Sequence, residues 1–264
     1  MIEVYYGLSG LPFDKSIKSD QLFISASAKE LLARLDFMKQ HRGIMLVTGE
    51  PGTGKTTILR AFVDQLSQLS YLPFYAPLST LNVLDFYRQI NSMLGGEPLH
   101  LKSRLFSSIQ NSIQDLLLHN KKIPVIILDE AHLLKNENFY QLQIISNFNM
   151  DSTDPALFIL VAQSHLRDRL ARSILNSFNQ RIQLRYHLIP LMKDEIEPYI
   201  SHHLSIKGCP KSPFSPTAVE AIFKHTAGIP RLIGSLALKT MTAGIQNKAQ
   251  TLTEEHVFAA SQEI

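Results

Sequence analysis

The sequence predicts an α/β fold in which a five-stranded parallel sheet lies between helices, followed by a small all-helical domain. Two observations predict it. Short apolar segments of strand length alternate with longer amphipathic segments of helix length until about residue 188, and after that only helix signals remain. We therefore expect an N-terminal arm at 1–26, an α/β domain at 27–188 and a helical domain at 189–264.

Four of the predicted strands are short apolar runs, and in the fifth Ile182, Leu184 and Tyr186 alternate with polar residues. Because they alternate with helices, they should pair in parallel and be covered on both faces. The five predicted strands lie at 44–47, 72–76, 125–128, 157–161 and 182–186.

The predicted helices carry apolar residues three and four positions apart. Ser27 and Glu30 form a capping-box pattern that opens the first helix after an irregular arm. Pro216 and Pro230 stand where two helices of the last domain begin, since proline fits the first helical position. The other predicted helices lie near 59–66, 81–94, 103–118 and 133–147 and after residue 253.

Composition limits the class of protein. The chain has 45% hydrophobic and 19% charged residues, which is typical of globular proteins, and its net charge of +3 permits contact with nucleic acid without requiring it. Cys209 is the only cysteine, so an intrachain disulfide is excluded and a reducing compartment fits. No apolar run approaches the ~18 residues that cross a bilayer, and the N-terminus lacks a signal-peptide pattern. We expect a cytoplasmic protein.

Residues 49–56 read GEPGTGKT, the pattern of a loop that cradles phosphate groups. Glycines let backbone N–H groups converge on phosphate oxygens, and the positive end of the following helix adds to the attraction. Lys55 should reach the β- and γ-phosphates, and the Thr56 hydroxyl should bind Mg²⁺. The predicted nucleotide-binding residues of this loop are Gly49, Glu50, Pro51, Gly52, Thr53, Gly54, Lys55, Thr56 and Thr57.

A second motif, VIILDEAH at 125–132, delivers two carboxylates at the end of an apolar strand, where open α/β sheets bind ligands. Asp129 is expected to hold the magnesium through water, and Glu130 to orient and polarise the attacking water. Taken alone, this pair would equally suit a solvated helix start. The phosphate loop upstream favours the catalytic role, and His132 is assigned no role.

These motifs and their order resemble those of the ExeA-like AAA+ ATPases, a family of P-loop NTPases that includes secretion ATPases, with transposition helper ATPases as more distant relatives. The resemblance covers nearly the whole chain. It implies ATP as the nucleotide, a helical lid domain, and a homo-oligomeric ring or filament with ATP at subunit interfaces. Besides the two motifs above, it rests on YYGLSGLPF at 5–13, LFILVAQSHLRDRL at 157–170, NQRI at 179–182 and AGIPRLI at 227–233.

The resemblance implies roles for further residues. Gln163 stands where the family places its sensor of the γ-phosphate, although the family's Gly-Gln-Pro is Ala-Gln-Ser here. Arg181 is similar to the arginine finger that reaches a neighbouring subunit's ATP, with Arg172 as a competing candidate. Arg231 resembles the lid arginine, sensor 2, that contacts the phosphates. Arm residues would pack near the adenine or in a core; they are Leu11, Pro12, Phe13 and Phe23.

The alternative for the arginine finger is a solvated basic face, since several arginines fall between the fourth and fifth strands. They are Arg167, Arg169, Arg172, Arg181 and Arg185.

The sequence leaves the purpose of ATP hydrolysis open. A transposition helper would bind duplex DNA with ATP and direct a transposase. The residues expected to contact the DNA backbone are Lys102, Arg104, Lys121 and Lys122. The alternative is that each is a solvated loop charge.

A secretion-type ATPase would act on an envelope complex. Secretion members carry a membrane span after the ATPase, and this sequence ends at Ile264 without one, which favours the transposition role if the chain is complete. The third role is a nucleotide-gated assembly switch with little turnover. A helicase, suggested by DEAH, is disfavoured because the chain is too short for two motor domains. We expect a slow ATPase that assembly or DNA stimulates.

Overall fold

The computed structural model describes residues 2–262 and contains the predicted five-stranded parallel sheet. The strand order is β2-β3-β4-β1-β5, and each neighbouring pair is parallel. Met1, Glu263 and Ile264, which the predicted first and last domains include, lie outside the described residues. The strands are β1 at Gly43–Gly49, β2 at Tyr71–Pro77, β3 at Ile123–Asp129, β4 at Leu157–Ala162 and β5 at Ile182–Leu188.

Each observed strand contains its predicted run and extends it by at most two residues at either end. The central strands β1 and β4 are buried at every position. Both faces of a parallel sheet are covered by helices, so such strands are apolar throughout rather than alternating. This is why short apolar runs were sufficient to predict them.

The helices between and after the strands follow the predicted order. Those up to the last strand are α1 at Ile2–Tyr6, α2 at Ala26–His41, α3 at Lys55–Asp64, α4 at Val83–Met93, α5 at Lys102–Leu118, α6 at Asn136–Ile145, α7 at His165–Leu170 and α8 at Asn176–Arg181. The later ones are α9 at Lys193–Ser205, α10 at Pro216–Thr226, α11 at Pro230–Gln246 and α12 at Glu254–Ser261. None in the described part of the chain combines the length and apolar character that a membrane span requires.

Three details of the predicted helices are wrong. The N-terminal arm is not irregular throughout, because α1 lies within it. The N-cap of α2 is Ser25, whose Oγ accepts a hydrogen bond from the Ala28 N–H at 3.1 Å, so Ser27 lies inside the helix. The predicted helix at 133–147 is a 3₁₀ turn, Ala131–Leu133, followed by α6.

Contacts divide the chain into two units. One contains 30–49 and 55–188, and its core packs α4, α5, α6 and α8 on the sheet. The other contains 1–29, 50–54 and 189–264. The core of this second, helical unit is built from α9 to α12, with Leu8 from the N-terminal arm.

Among the glycines of the helical unit, Gly228 leaves the least room for a side chain. Its φ is +76°, and its carbonyl accepts a hydrogen bond of 2.9 Å from the Leu191 N–H. An added Cβ would lie 2.0 Å from the carbonyl oxygen of Leu191. The start of α11, two residues later, therefore depends on glycine here.

Replacing Gly228 with alanine is expected to lower the free energy of unfolding by about 3 kcal/mol, because left-handed backbone costs ~1–2 kcal/mol and forced overlap typically adds ~1–3 kcal/mol. Urea denaturation measures the loss. Gly7→Ala is the matched control, since Gly7 has φ +67° and nothing within 4 Å of an added Cβ. Equal losses in the two variants would contradict the overlap with Leu191.

Candidate nucleotide-binding site

The phosphate-loop motif joins the end of β1 to the start of α3, the strand–loop–helix context that the motif requires. Gly52 and Gly54 have φ values of +85° and +95°, in the region that favours glycine. Within the loop, Thr53 Oγ1 donates a hydrogen bond of 2.8 Å to the Glu50 carbonyl. The turn can therefore present backbone N–H groups on one side.

Lys55 lies at the first position of α3. Its Nζ donates a hydrogen bond of 2.8 Å to the Gly49 carbonyl at the end of β1. This contact places a full positive charge at the carboxyl edge of the sheet, beside a helix N-terminus that attracts anions.

Asp129 ends β3 and is 5% exposed. Its Oδ2 accepts hydrogen bonds of 2.9 Å from Thr56 Oγ1 and from the Tyr75 hydroxyl, and its Oδ1 accepts one of 2.8 Å from the Glu130 N–H. Burial raises the pKa of Tyr75 to about 12, and the Asp129 carboxylate adds to the shift. The Tyr75 hydroxyl therefore keeps its proton and acts as donor.

The oxygen atoms of Thr56 and Asp129 suit Mg²⁺. Their hydrogen bond of 2.9 Å places a hydroxyl and a carboxylate side by side at the carboxyl edge of the sheet. A hydroxyl and a carboxylate are also the hard oxygen donors that this cation takes alongside substrate phosphates. The donor set therefore fits the predicted magnesium.

Glu130 follows Asp129 with φ +57°, an uncommon conformation for a residue with a side chain. Its side chain is 52% exposed, and its Oε2 lies 3.3 Å from His132 Nδ1, close enough for charge interaction but without hydrogen-bond geometry. Desolvation lowers the pKa of His132, an effect that the Glu130 carboxylate partly offsets. Sequence reasoning missed this neighbour of Glu130.

Arg169 holds the segment that follows Glu130. Its guanidinium donates hydrogen bonds of 2.9 Å to the His132 carbonyl and to Asn136 Oδ1, and a third to the Leu134 carbonyl. It also lies 5.2 Å from the ring centre of Phe139. The interpretation of Arg169 as part of a solvated basic face is therefore wrong.

Gln163 directly follows β4, which lies between β3 and β1 in the sheet. Since parallel strands end at the same edge, Gln163 stands between the strand ends that carry Asp129 and Gly49. The backbone carbonyl of Gln163 accepts a hydrogen bond from the Leu166 N–H as α7 begins.

Arg181 ends α8, and its guanidinium donates a hydrogen bond of 2.6 Å to Asp151 Oδ1. Asp151 lies in a turn where three consecutive residues have positive φ, which are Asn149, Met150 and Asp151. Arg172, the competing candidate, is exposed before the 3₁₀ turn Ser173–Leu175.

Arg231 lies in the first turn of α11 within the helical unit, and its side chain is exposed. Its N–H donates a hydrogen bond of 3.2 Å to the Gly52 carbonyl of the phosphate loop. A Cβ at Gly52 would lie 2.9 Å from the Arg231 Cβ, so this approach also depends on glycine. The predicted lid arginine, Arg231, therefore contacts the phosphate loop through its own backbone N–H.

The aromatic residues of the arm pack on α9. The Phe13 ring lies 5.0 Å from the His203 ring, and the Phe23 ring lies 5.6 Å from the Tyr199 ring. Burial lowers the pKa of His203 to about 4, so its imidazole packs as a neutral ring. Pro12 is buried with them, whereas Leu11 is 50% exposed.

The four basic residues predicted for DNA contact do not form one cluster. Lys102 and Arg104 lie at the start of α5, while Lys121 and Lys122 follow its end. A helix of 17 residues separates the two pairs by roughly 25 Å. Lys102 also lies 5.6 Å from the ring centre of Tyr87.

Comparisons with known proteins agree with these motifs. A family model described as an AAA domain matches residues 38–170, half of the chain. General secretion pathway protein A of Aeromonas hydrophila is 28% identical over 268 residues, covering 100% of this chain and 48% of that protein. The chain thus spans about half the length of this curated relative.

Solved structures share the fold. The Aeropyrum pernix ORC2 protein, solved in ADPNP–ADP complexes, has a TM-score of 0.64 at 17% identity and covers 96% of this chain and 72% of its own. Cdc6p of Pyrobaculum aerophilum has a TM-score of 0.67 at 18% identity, with coverages of 96% and 70%. Drosophila ORC bound to DNA has a TM-score of 0.64 at 16% identity, with coverages of 98% and 64%.

The segment that the family model matches contains both the phosphate loop and the Asp129–Glu130 motif, and the curated relative aligns with the whole chain. The resemblance predicted from the sequence is confirmed. The chain belongs to the AAA domain family and is similar over its whole length to the ExeA-like AAA+ ATPases.

Proposed function

We propose that the chain binds Mg-ATP and hydrolyses it at the carboxyl edge of its sheet. The observation that carries the proposal is the 2.9 Å hydrogen bond between Thr56 and Asp129, residues 73 positions apart. Thr56 and Asp129 would hold the magnesium, which when bound neutralises charge on the phosphates. Lys55 would bind the β- and γ-phosphates.

Glu130 is the carboxylate proposed to act on water. Both Asp129 oxygens already accept hydrogen bonds, whereas the Glu130 side chain is half exposed and next to a buried histidine. A carboxylate in that position can accept a hydrogen bond from the attacking water and orient it. Gln163 would sense the γ-phosphate from the adjacent strand end, and Arg231 would contact the phosphates from α11.

We propose further that the ATPase is a homo-oligomer in which Arg181 of one subunit completes the site of another. A guanidinium near the transferred phosphate stabilises charge that develops in the transition state. Turnover would then be slow in the dilute chain and faster on assembly.

Lys55→Ala is expected to weaken ATP binding on the order of 100-fold, because a hydrogen bond to a charged group is worth up to ~3 kcal/mol. Titration with a fluorescent ATP analogue measures the affinity. Lys224→Ala removes the same charge from an exposed position, with a side chain that is 71% accessible, and should bind normally. An unchanged affinity in Lys55→Ala would contradict the proposed site.

The relative from Aeromonas hydrophila is a general secretion pathway protein, which supports a secretion-type role on an envelope complex. This favours the secretion alternative over the transposition helper. A cytoplasmic location remains a prediction.

Duplex DNA remains the second candidate partner, because Drosophila ORC shares the fold and was solved with DNA. A transposase remains a prediction from the family resemblance. A duplex-binding assay with ATP, ADP and no nucleotide, over a salt series, separates the roles. ATP-dependent, salt-sensitive binding would support the DNA role. Absence of binding in every condition would support the secretion role or a nucleotide-gated switch.

A further inference from the structure

Tyr75, two residues before the end of β2, lies beside Asp129, and neither sequence motif assigns it a role. Tyr75 pairs in register with Ile127 of β3, two positions before Asp129. The Tyr75 hydroxyl donates to Asp129 Oδ2, the oxygen that also accepts from Thr56. The proposed magnesium ligand is therefore held by a neighbouring strand as well as by the phosphate loop's helix.

We propose that Tyr75 is a positioning residue for the magnesium ligand Asp129, and that its hydroxyl sets the orientation of the carboxylate toward the cation. This inference rests on the proposed Mg-ATP binding. Groups that hydrogen-bond a metal ligand orient it and tune its affinity, and their loss typically costs about 10- to 100-fold in metal affinity or activity.

Three groups donate hydrogen bonds to Asp129, one to Oδ1 and two to Oδ2. The Glu130 N–H holds Oδ1 through the backbone, so it is present in any variant that folds. Thr56 and Tyr75 meet at Oδ2. The Thr56 oxygen is itself proposed to bind the cation, which leaves Tyr75 as the one side chain of the three donors whose proposed role is to orient the carboxylate.

The support for Tyr75 is independent of the phosphate loop. β2 pairs with β3 over seven register positions, from Tyr71 with Ile123 to Pro77 with Asp129. Backbone hydrogen bonds of the sheet therefore place the hydroxyl near Asp129 without any contribution from a nucleotide. Tyr75 is 52% exposed, so removal of the hydroxyl should leave the core intact.

The test compares ATP affinity with and without magnesium, in a Glu130→Gln background that prevents hydrolysis. A fluorescent ATP analogue is titrated in excess Mg²⁺ and in EDTA, and the ratio of affinities gives the magnesium enhancement. Tyr75→Phe should keep the affinity in EDTA and lose about tenfold of the enhancement. Tyr71→Phe, at the other end of the same strand, should change neither value.

Two results for Tyr75→Phe would overturn the inference. An unchanged enhancement would show that the hydroxyl does not orient the metal ligand. A matching loss in EDTA, or a lowered melting temperature, would show that it supports the fold. If the Glu130→Gln protein with Tyr75 intact shows no magnesium-dependent ATP binding, the proposed function itself fails.

Discussion

Glu130→Gln is expected to bind Mg-ATP as tightly as the unmodified chain while its turnover falls by about 10²–10⁴-fold, the range that a positioned acid–base group contributes. Glutamine keeps the shape of glutamate but not the negative charge that polarises the attacking water. The Asp129 carboxylate cannot substitute, since it is buried and accepts hydrogen bonds from Thr56, Tyr75 and the Glu130 N–H.

Single-turnover hydrolysis and analogue titration separate the two quantities. Glu137→Gln is a matched control, because Glu137 is exposed in the first turn of α6, a few residues along the same segment. Normal hydrolysis by Glu130→Gln would remove Glu130 from the proposed role, and weakened binding would show that its charge supports the loop instead.

Arg181→Ala is expected to reduce turnover in the assembled protein by about 10³–10⁵-fold, the contribution of an arginine finger, with ATP binding retained. Arg172→Ala should hydrolyse normally if Arg181 is the finger. Steady-state ATPase rates over a series of protein concentrations measure both. The opposite outcome would transfer the role to Arg172.

The ion pair with Asp151 does not prevent this role. Within one subunit Arg181 lies 2.6 Å from Asp151, whose side chain is 55% exposed, and exposed pairs contribute at most ~1 kcal/mol. A rate effect of 10³–10⁵ corresponds to about 4–7 kcal/mol of transition-state stabilisation. The contact of Arg181 with the neighbouring subunit's ATP would therefore outweigh the loss of the ion pair with Asp151.

Mixing two inactive variants tests whether Arg181 acts across an interface. In a mixed oligomer, an Arg181→Ala subunit has an intact Glu130 and can receive Arg181 from a Glu130→Gln neighbour. Partial recovery of turnover is expected on mixing. If both variants assemble together and no activity returns, Arg181 acts within its own subunit or has no catalytic role.

Local sequence patterns were sufficient to predict the elements whose formation depends on residues close together in the chain. The strands β1, β3 and β4 are buried apolar runs, and the partly exposed β5 alternates apolar and polar residues. All five strands were predicted within two residues at either end. Helix ends were predicted less well, because several polar residues compete for one cap. Ser25 rather than Ser27 caps α2, and Ser27 instead accepts a hydrogen bond from the Ile189 N–H.

By itself, the sequence determined the α/β class, the phosphate loop, the Asp129–Glu130 motif and the family, since each depends on residues close together in the chain. Only the tertiary structure decided that Tyr75 holds Asp129 and that Arg169 is bonded to the segment after Glu130 rather than solvated. The physical reason is that strand order and register bring distant residues together, and local periodicity does not encode either of them.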